Sequence, residues 1–188
     1  MTCLVCNVKL QEHLSLHTLF KPKPMLCDKC EDLLKQCRFE AKGRCDYCLG
    51  ALNDSNCINC KNYAYPYRFD TIRACYHYEG LYKSIFQQYK FHGDVALAKL
   101  IGQQLNVKVW DFDMIIPIPS VEDNDLARTF NPVQHVLQVA RVPFENCLTM
   151  HRRPKQFTLN LKERLDLENG IAIRSDICLE NKRIFTCR

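Results

Sequence analysis

Eight of the thirteen cysteines fall into four Cys-x-x-Cys pairs, Cys3/Cys6, Cys27/Cys30, Cys45/Cys48 and Cys57/Cys60. A Cys-x-x-Cys turn directs two sulfurs at one point, and two such turns complete the four-thiolate tetrahedron that structural zinc takes. The four turns therefore predict two Zn²⁺ ions with these eight cysteines as ligands. Adjacent pairing puts Cys3, Cys6, Cys27 and Cys30 on one ion and Cys45, Cys48, Cys57 and Cys60 on the other. A cross-braced arrangement, with first and third pairs together, fits the spacing equally well. Adjacent pairing is favoured because the segment 45–60 closes a compact knuckle at low loop-closure cost.

Two other uses of these sulfurs compete with zinc. Disulfides need an oxidising compartment, and Met-Thr-Cys-Leu-Val-Cys at the N-terminus has neither the basic start nor the apolar core of a signal peptide. The expectation is a cytoplasmic protein with reduced thiols. A redox motif is normally one pair beside a βαβ pattern, not four pairs in a polar segment. Cys37, Cys75, Cys147, Cys178 and Cys187 share no spacing and read as ordinary thiols, mostly buried.

The elements that must position these groups follow from periodicity. A short helix is expected over Cys27 to Cys37, where Asp28 opens the turn and Leu33 and Leu34 give an apolar face. This part is too poor in apolar residues to fold unaided, so metal must supply stability. Asn62 to Tyr67 is an aromatic linker broken by Pro66, which divides the chain into domains 1–66 and 67–188. Tyr63, Tyr65 and Tyr67 either pack between the domains or stack on unpaired bases.

Beyond the linker, Phe69, Ile72, Ala74, Tyr76 and Tyr78 suggest a strand. Helices are expected over Leu81 to His92, from a capping Asp94 to Leu105, and over Pro132 to Ala140. The run Met114-Ile115-Ile116-Pro117-Ile118-Pro119 reads as a buried parallel strand leaving into a ligand-bearing loop, 120–128, that holds Glu122, Asp123 and Asp125. Phe144 to Leu148 starts a short strand, Leu159 to Leu167 is helical, and Ile171-Ala172-Ile173 and Arg183-Ile184-Phe185 are late strands. Strands alternating with helices give an α/β class: a small Cys-rich zinc domain followed by a parallel sheet with helices on both faces.

The formal net charge is +5, but each four-thiolate zinc centre carries about −2, which brings the sum to about +1. Net charge therefore does not argue for nucleic acid. Basic character is local to His151-Arg152-Arg153-Pro154-Lys155, which is either a solvated loop or a phosphate-facing one. No apolar run reaches the roughly 18 residues that a membrane span needs.

Read together, these segments resemble the ComF family. The resemblance rests on the four Cys-x-x-Cys turns, Tyr78-Glu79-Gly80-Leu81-Tyr82-Lys83-Ser84-Ile85, Lys90-Phe91-His92-Gly93, Ile116-Pro117-Ile118-Pro119, Arg128-Thr129-Phe130-Asn131, Gln156 and Glu163-Arg164, in that order. It runs from Cys3 to about Ile184. It implies a zinc-binding domain joined to a type I phosphoribosyltransferase-like domain, with phosphoribosyl pyrophosphate and Mg²⁺ above the strand ends. It also implies a role in DNA uptake during natural transformation, on single-stranded DNA and beside a ComFA-type helicase.

Residue by residue, Pro117-Ile118-Pro119 matches the family loop near the pyrophosphate, and Arg128-Thr129-Phe130-Asn131-Pro132 matches Arg-Gly-Phe-Asn-Gln. Thr129 is expected to lose the positive φ of the family glycine, and Pro132 lacks a backbone donor and an amide. Arg128 and Asn131 remain as phosphate or ribose contacts, and Arg152, Arg153 and Lys155 as nucleic-acid contacts. The family's Asp-Asp and Thr-Thr-Gly signature is missing: Phe185-Thr186-Cys187-Arg188 stands where it is expected, and no Thr-Gly dipeptide occurs anywhere. No catalytic residue is therefore assigned. The expectation is a phosphoribosyltransferase domain that is degenerate and cut short, with one sheet edge exposed. The alternative is that only a longer form is an active enzyme and this chain is a non-functional remnant.

Overall fold

The computed structural model describes residues 1–11, 16, 20, 23–54, 56–58, 60, 70–105, 107–151, 159–160, 162–163 and 170–187. The chain divides into two compact units, Met1–Phe86 and Gln87–Arg188. The expected boundary at 66/67 falls in 61–69, outside the described residues, as do Tyr63, Tyr65 and Tyr67.

The first unit is built on two knuckles of one design. In the first, the Cys3 N–H donates to the Val8 carbonyl (2.8 Å) and the Asn7 N–H to the Cys3 carbonyl (3.0 Å). In the second, Cys45 donates to Gly50 (3.0 Å) and Leu49 to Cys45 (2.8 Å). Each knuckle is flanked by an antiparallel bridge, Thr2 with Lys9 and Arg44 with Ala51. The residue after the second cysteine is left-handed in both, with φ 59° at Asn7 and 58° at Leu49. Asparagine suits that conformation and leucine does not.

Helix α1, Asp28–Gln36, follows Cys27, which occupies the N-cap without a side-chain capping bond. Asp28 and Glu31 lie in its first turn and Lys35 in its last, the sense the helix dipole favours. Strands β1, Leu52–Asn53, and β2, Asn56–Cys57, pair antiparallel. The expected strand over 69–78 is reduced to one bridge between Tyr76 and Arg38, with Phe69 outside the described residues. Helix α2, Gly80–His92, begins here. A Cβ on Gly80 would crowd the Cys37 sulfur at 3.1 Å, and its φ is +51°, so the backbone favours glycine there. Tyr76 stacks on Tyr82 (4.6 Å), and Tyr78 meets Phe86 edge-on (6.0 Å).

The second unit takes up the end of α2 and adds α3, Leu97–Gln103, α4, Glu122–Arg128, and α5, Pro132–Val139. A 3₁₀ turn, Val109–Asp111, precedes strand β3, Met114–Pro117, which is buried at all four positions. Strand β6, Ile184–Cys187, pairs with it in parallel, Met114 opposite Ile184 and Pro117 opposite Cys187. Strands β4, Leu148–Met150, and β5, Ile171–Ile173, form a separate antiparallel pair. The fold is α/β, with helices and strands mixed and one parallel pair among the described residues. Met114, Ile116 and Cys147 form a buried cluster against Leu148, Ile177, Leu179 and Ile184. A Cβ on Gly102 of α3 would come 3.1 Å from the Ala140 Cβ, so glycine lets α3 and α5 approach closely.

Several elements differ from expectation. The acidic loop at 120–128 is largely the helix α4, whose first turn holds Glu122, Asp123 and Asp125, where the helix dipole attracts carboxylates. Helix α3 starts at Leu97, and Asp94 contributes its backbone carbonyl to the Leu97 N–H (3.2 Å) in place of a side-chain cap. The strand expected over 144–148 begins at Leu148, where pairing with β5 starts. Of the expected helix over 159–167, 162–163 are helical and 161 and 164–167 lie outside the described residues. Asn160 and Glu163 form a reciprocal capping box there, with bonds of 2.9 and 2.7 Å. Among the described residues no helix is long and apolar enough to cross a membrane.

Candidate functional site

Each knuckle meets a second cysteine pair. Cys3, Cys6, Cys27 and Cys30 form one group and Cys45, Cys48, Cys57 and Cys60 another, each with all four sulfurs within 4.8 Å of one another. The sulfurs gather as adjacent pairs, with Cys27 and Cys30 carried by the start of α1 and Cys57 by β2. The sulfur–sulfur separations are 3.6 Å for Cys6–Cys27, 3.7 Å for Cys45–Cys60 and 3.4 Å for Cys48–Cys57. A tetrahedron with metal–sulfur bonds of about 2.3 Å has edges of about 3.8 Å, so both groups fit one ion of zinc size.

The electrostatics of the two groups agree with that use. Burial pushes the Cys3 thiol up, but backbone N–H groups of Cys6, Val5 and Cys27 outweigh it and bring it down to about 6. Backbone N–H groups of Cys48 and Tyr47 lower Cys45 to about 7. In the same groups Cys30 is pushed up by burial and its neighbouring sulfurs, and Cys60 up to about 12, first by the Cys48 sulfur. Four crowded sulfurs cannot all ionise unaided; a divalent cation removes that conflict and favours four thiolates. Backbone N–H groups of Gly50 and Cys60 point at Cys48 and Cys57 (3.4 and 3.5 Å) and would support those charges.

A second constellation follows β3, where the chain leaves through Ser120 into α4 and turns into α5. Asn131 caps α5: its Oδ1 accepts from Val133 and Gln134 N–H (3.1 and 3.0 Å). Its Nδ2 donates to Asp125 Oδ2 (2.7 Å) and Ser120 Oγ (3.3 Å). Ser120 Oγ donates to Asp125 Oδ1. Both oxygens of Asp125 are thus engaged by neutral donors. Arg128 Nη1 lies 3.8 Å from Asp125 Oδ1, is buried, and makes no hydrogen bond among the described residues. The Arg128 guanidinium sits over the Phe91 ring, 5.8 Å from its centre.

Thr129 corrects the expectation made for it. It adopts φ 68°, ψ 4° in the αL region and ends α4, with its N–H bonded to Leu126 (3.2 Å). Its hydroxyl donates to the Arg128 carbonyl (2.5 Å). Pro132 stands at the first turn of α5, where a missing N–H costs nothing, and its carbonyl accepts from the buried Tyr89 hydroxyl (2.7 Å). Arg152, Arg153 and Lys155 lie in 152–158, outside the described residues. Ser120, Asp125 and Phe91 carry no motif that marks them as neighbours of Arg128; an acidic residue three before an arginine was the one available sign.

Two four-cysteine groups that could each hold a metal ion, carried ahead of an α/β unit with a parallel strand pair, define the class of protein. No protein-family model matches the sequence, and no solved structure does. Among curated proteins the chain is similar to competence protein ComFC of Streptococcus pneumoniae, 24% identical over 187 residues, 97% of this chain and 84% of that protein. The similarity runs over nearly the whole chain.

Proposed function

We propose that this chain is a ComFC-type competence protein, zinc-loaded at both cysteine groups, that handles incoming single-stranded DNA in the cytoplasm during natural transformation. The observation that carries the reading is the likeness to ComFC across 97% of the chain. The two four-cysteine groups support it, because each could hold a metal ion in the first unit. Zinc, when bound, supplies structure: it holds both knuckles, the start of α1 and β2 in one arrangement. Arg128 serves as a phosphate contact and Asn131 as the residue that positions it through Asp125. Arg152, Arg153 and Lys155 add further phosphate contacts, and a ComFA-type helicase is the expected partner.

The second unit is read as a degenerate phosphoribosyltransferase domain. The Asp-Asp and Thr-Thr-Gly signature that the resemblance leads one to expect is missing from the sequence. Asp125, 3.8 Å from Arg128, is already engaged by Ser120 and Asn131. No chemical step is therefore derived through phosphoribosyl pyrophosphate or Mg²⁺, and the chain should release no pyrophosphate from it with any acceptor base.

Deleting the coding sequence in its own host tests the competence reading. Transformation frequency should collapse with growth unaffected and return with the wild-type sequence supplied in trans. A deletion that transforms like its parent would contradict the proposal.

A further inference from the structure

Phe91 and Trp110 are the strongly exposed aromatic side chains of the second unit among the described residues, and Phe91 has cations beside its ring. It lies in the last turn of α2 and is 61% exposed, whereas Tyr89, two residues before it, is 1% exposed. Two cations are drawn to its ring: Lys90 Nζ at 5.7 Å from the centre and the Arg128 guanidinium at 5.8 Å. An aromatic ring of this exposure beside two cations has the chemistry of a nucleotide contact, a face for a base and charges for a phosphate.

The environment of Arg128 sharpens that reading. An acid so placed, Asp125, would ordinarily take a forked pair with the guanidinium. Here Ser120 and Asn131 hold one carboxylate oxygen each, and Asn131 is itself fixed as the cap of α5. Arg128 stays 3.8 Å away, oriented by the field of Asp125, with a buried Nη1 that lacks an acceptor. Arg128 is therefore not closed in a forked pair with its own acid, and its side chain, 19% exposed, keeps charge for the phosphate of a bound strand.

We propose that Phe91, Lys90 and Arg128 form the contact for one nucleotide of an unpaired strand, its base stacked on Phe91 and its phosphate held by the Arg128 guanidinium and Lys90. Ser120, Asp125 and Asn131 are positioning residues, because they keep Arg128 from closing on its own acid. The inference rests on the reading that the protein handles single-stranded DNA.

The test is fluorescence anisotropy on the full zinc-loaded chain, with a labelled oligothymidylate of about 16 nucleotides and an abasic strand of equal length. Phe91→Leu should weaken oligothymidylate binding about tenfold and leave abasic binding unchanged, and Phe91→Trp should restore it. Arg128→Gln should weaken both strands and reduce the salt dependence. If Phe91→Leu binds oligothymidylate like wild type, or loses both strands equally, the stacking contact is overturned while the single-strand reading stands. If wild type binds neither strand, both fall.

Discussion

Thr129 holds a β-branched side chain at φ 68°, where glycine is at ease and a β-branched residue is not. The strain is of the order of 1–2 kcal/mol, and the hydroxyl bond to the Arg128 carbonyl offsets part of it. Thr129→Gly should therefore stabilise the protein by about 1 kcal/mol, less the extra flexibility that glycine brings to the unfolded chain; a urea midpoint no higher than wild type would refute this. Asp113 makes a pH prediction. The Arg183 backbone N–H (2.8 Å) and then its guanidinium (3.6 Å) hold the Asp113 carboxyl below its ordinary value. A depressed folded pKa means the bond stabilises above the ordinary carboxylate range near 3.9 and is lost as pH falls below it. The Asp113 carboxyl resonance should titrate with a midpoint lower than a free aspartate, and Asp113→Asn should lose less stability on acidification than wild type. At this scale the cysteines were legible, because metal chemistry resides in residue type and spacing. Thr129 was not, because the local rule against αL threonine is overridden by the reversal from α4 into α5.

Among the elements, helices α2 and α5 were readable from apolar periodicity and end signals. Helix α4 was not: Glu122, Asp123 and Asp125 resemble a loop until the helix dipole is seen to place them in a first turn. Strand β4 was misplaced by a few residues because its start is set by β5, more than twenty positions away, and not by its own sequence. The common design of the two knuckles was also hidden, since Asn7 and Leu49 share a backbone conformation and no side-chain chemistry. Asn131 joins two scales, as the cap of α5 and the clamp on Asp125. Asn131→Ala should cost about 1–2 kcal/mol in thermal unfolding and let Arg128 close on Asp125. Asn131→Ser, which keeps a capping oxygen, should recover part of the stability; equal losses for the two variants would show that the cap contributes nothing.

In the whole molecule, stability is divided unequally. Apart from cysteines, the buried apolar side chains of the first unit are Leu10, Leu26, Leu34 and Ile85 among the described residues, too few to order it without metal. The second unit buries Tyr89, Leu97, Leu100, Ile101, Met114, Ile115, Ile116, Val136 and Leu137. A strong zinc chelator should therefore abolish amide-exchange protection in both knuckles and α1 while β3 and α5 stay protected. Simultaneous loss everywhere would show that the second unit has no stability of its own. The zinc content of the intact chain, read by native mass spectrometry, tests the account at its centre. Two ions are expected, and serine at both Cys27 and Cys30 should leave one, held by Cys45, Cys48, Cys57 and Cys60. A wild-type chain without zinc, or a variant that loses both ions, would contradict two independent centres.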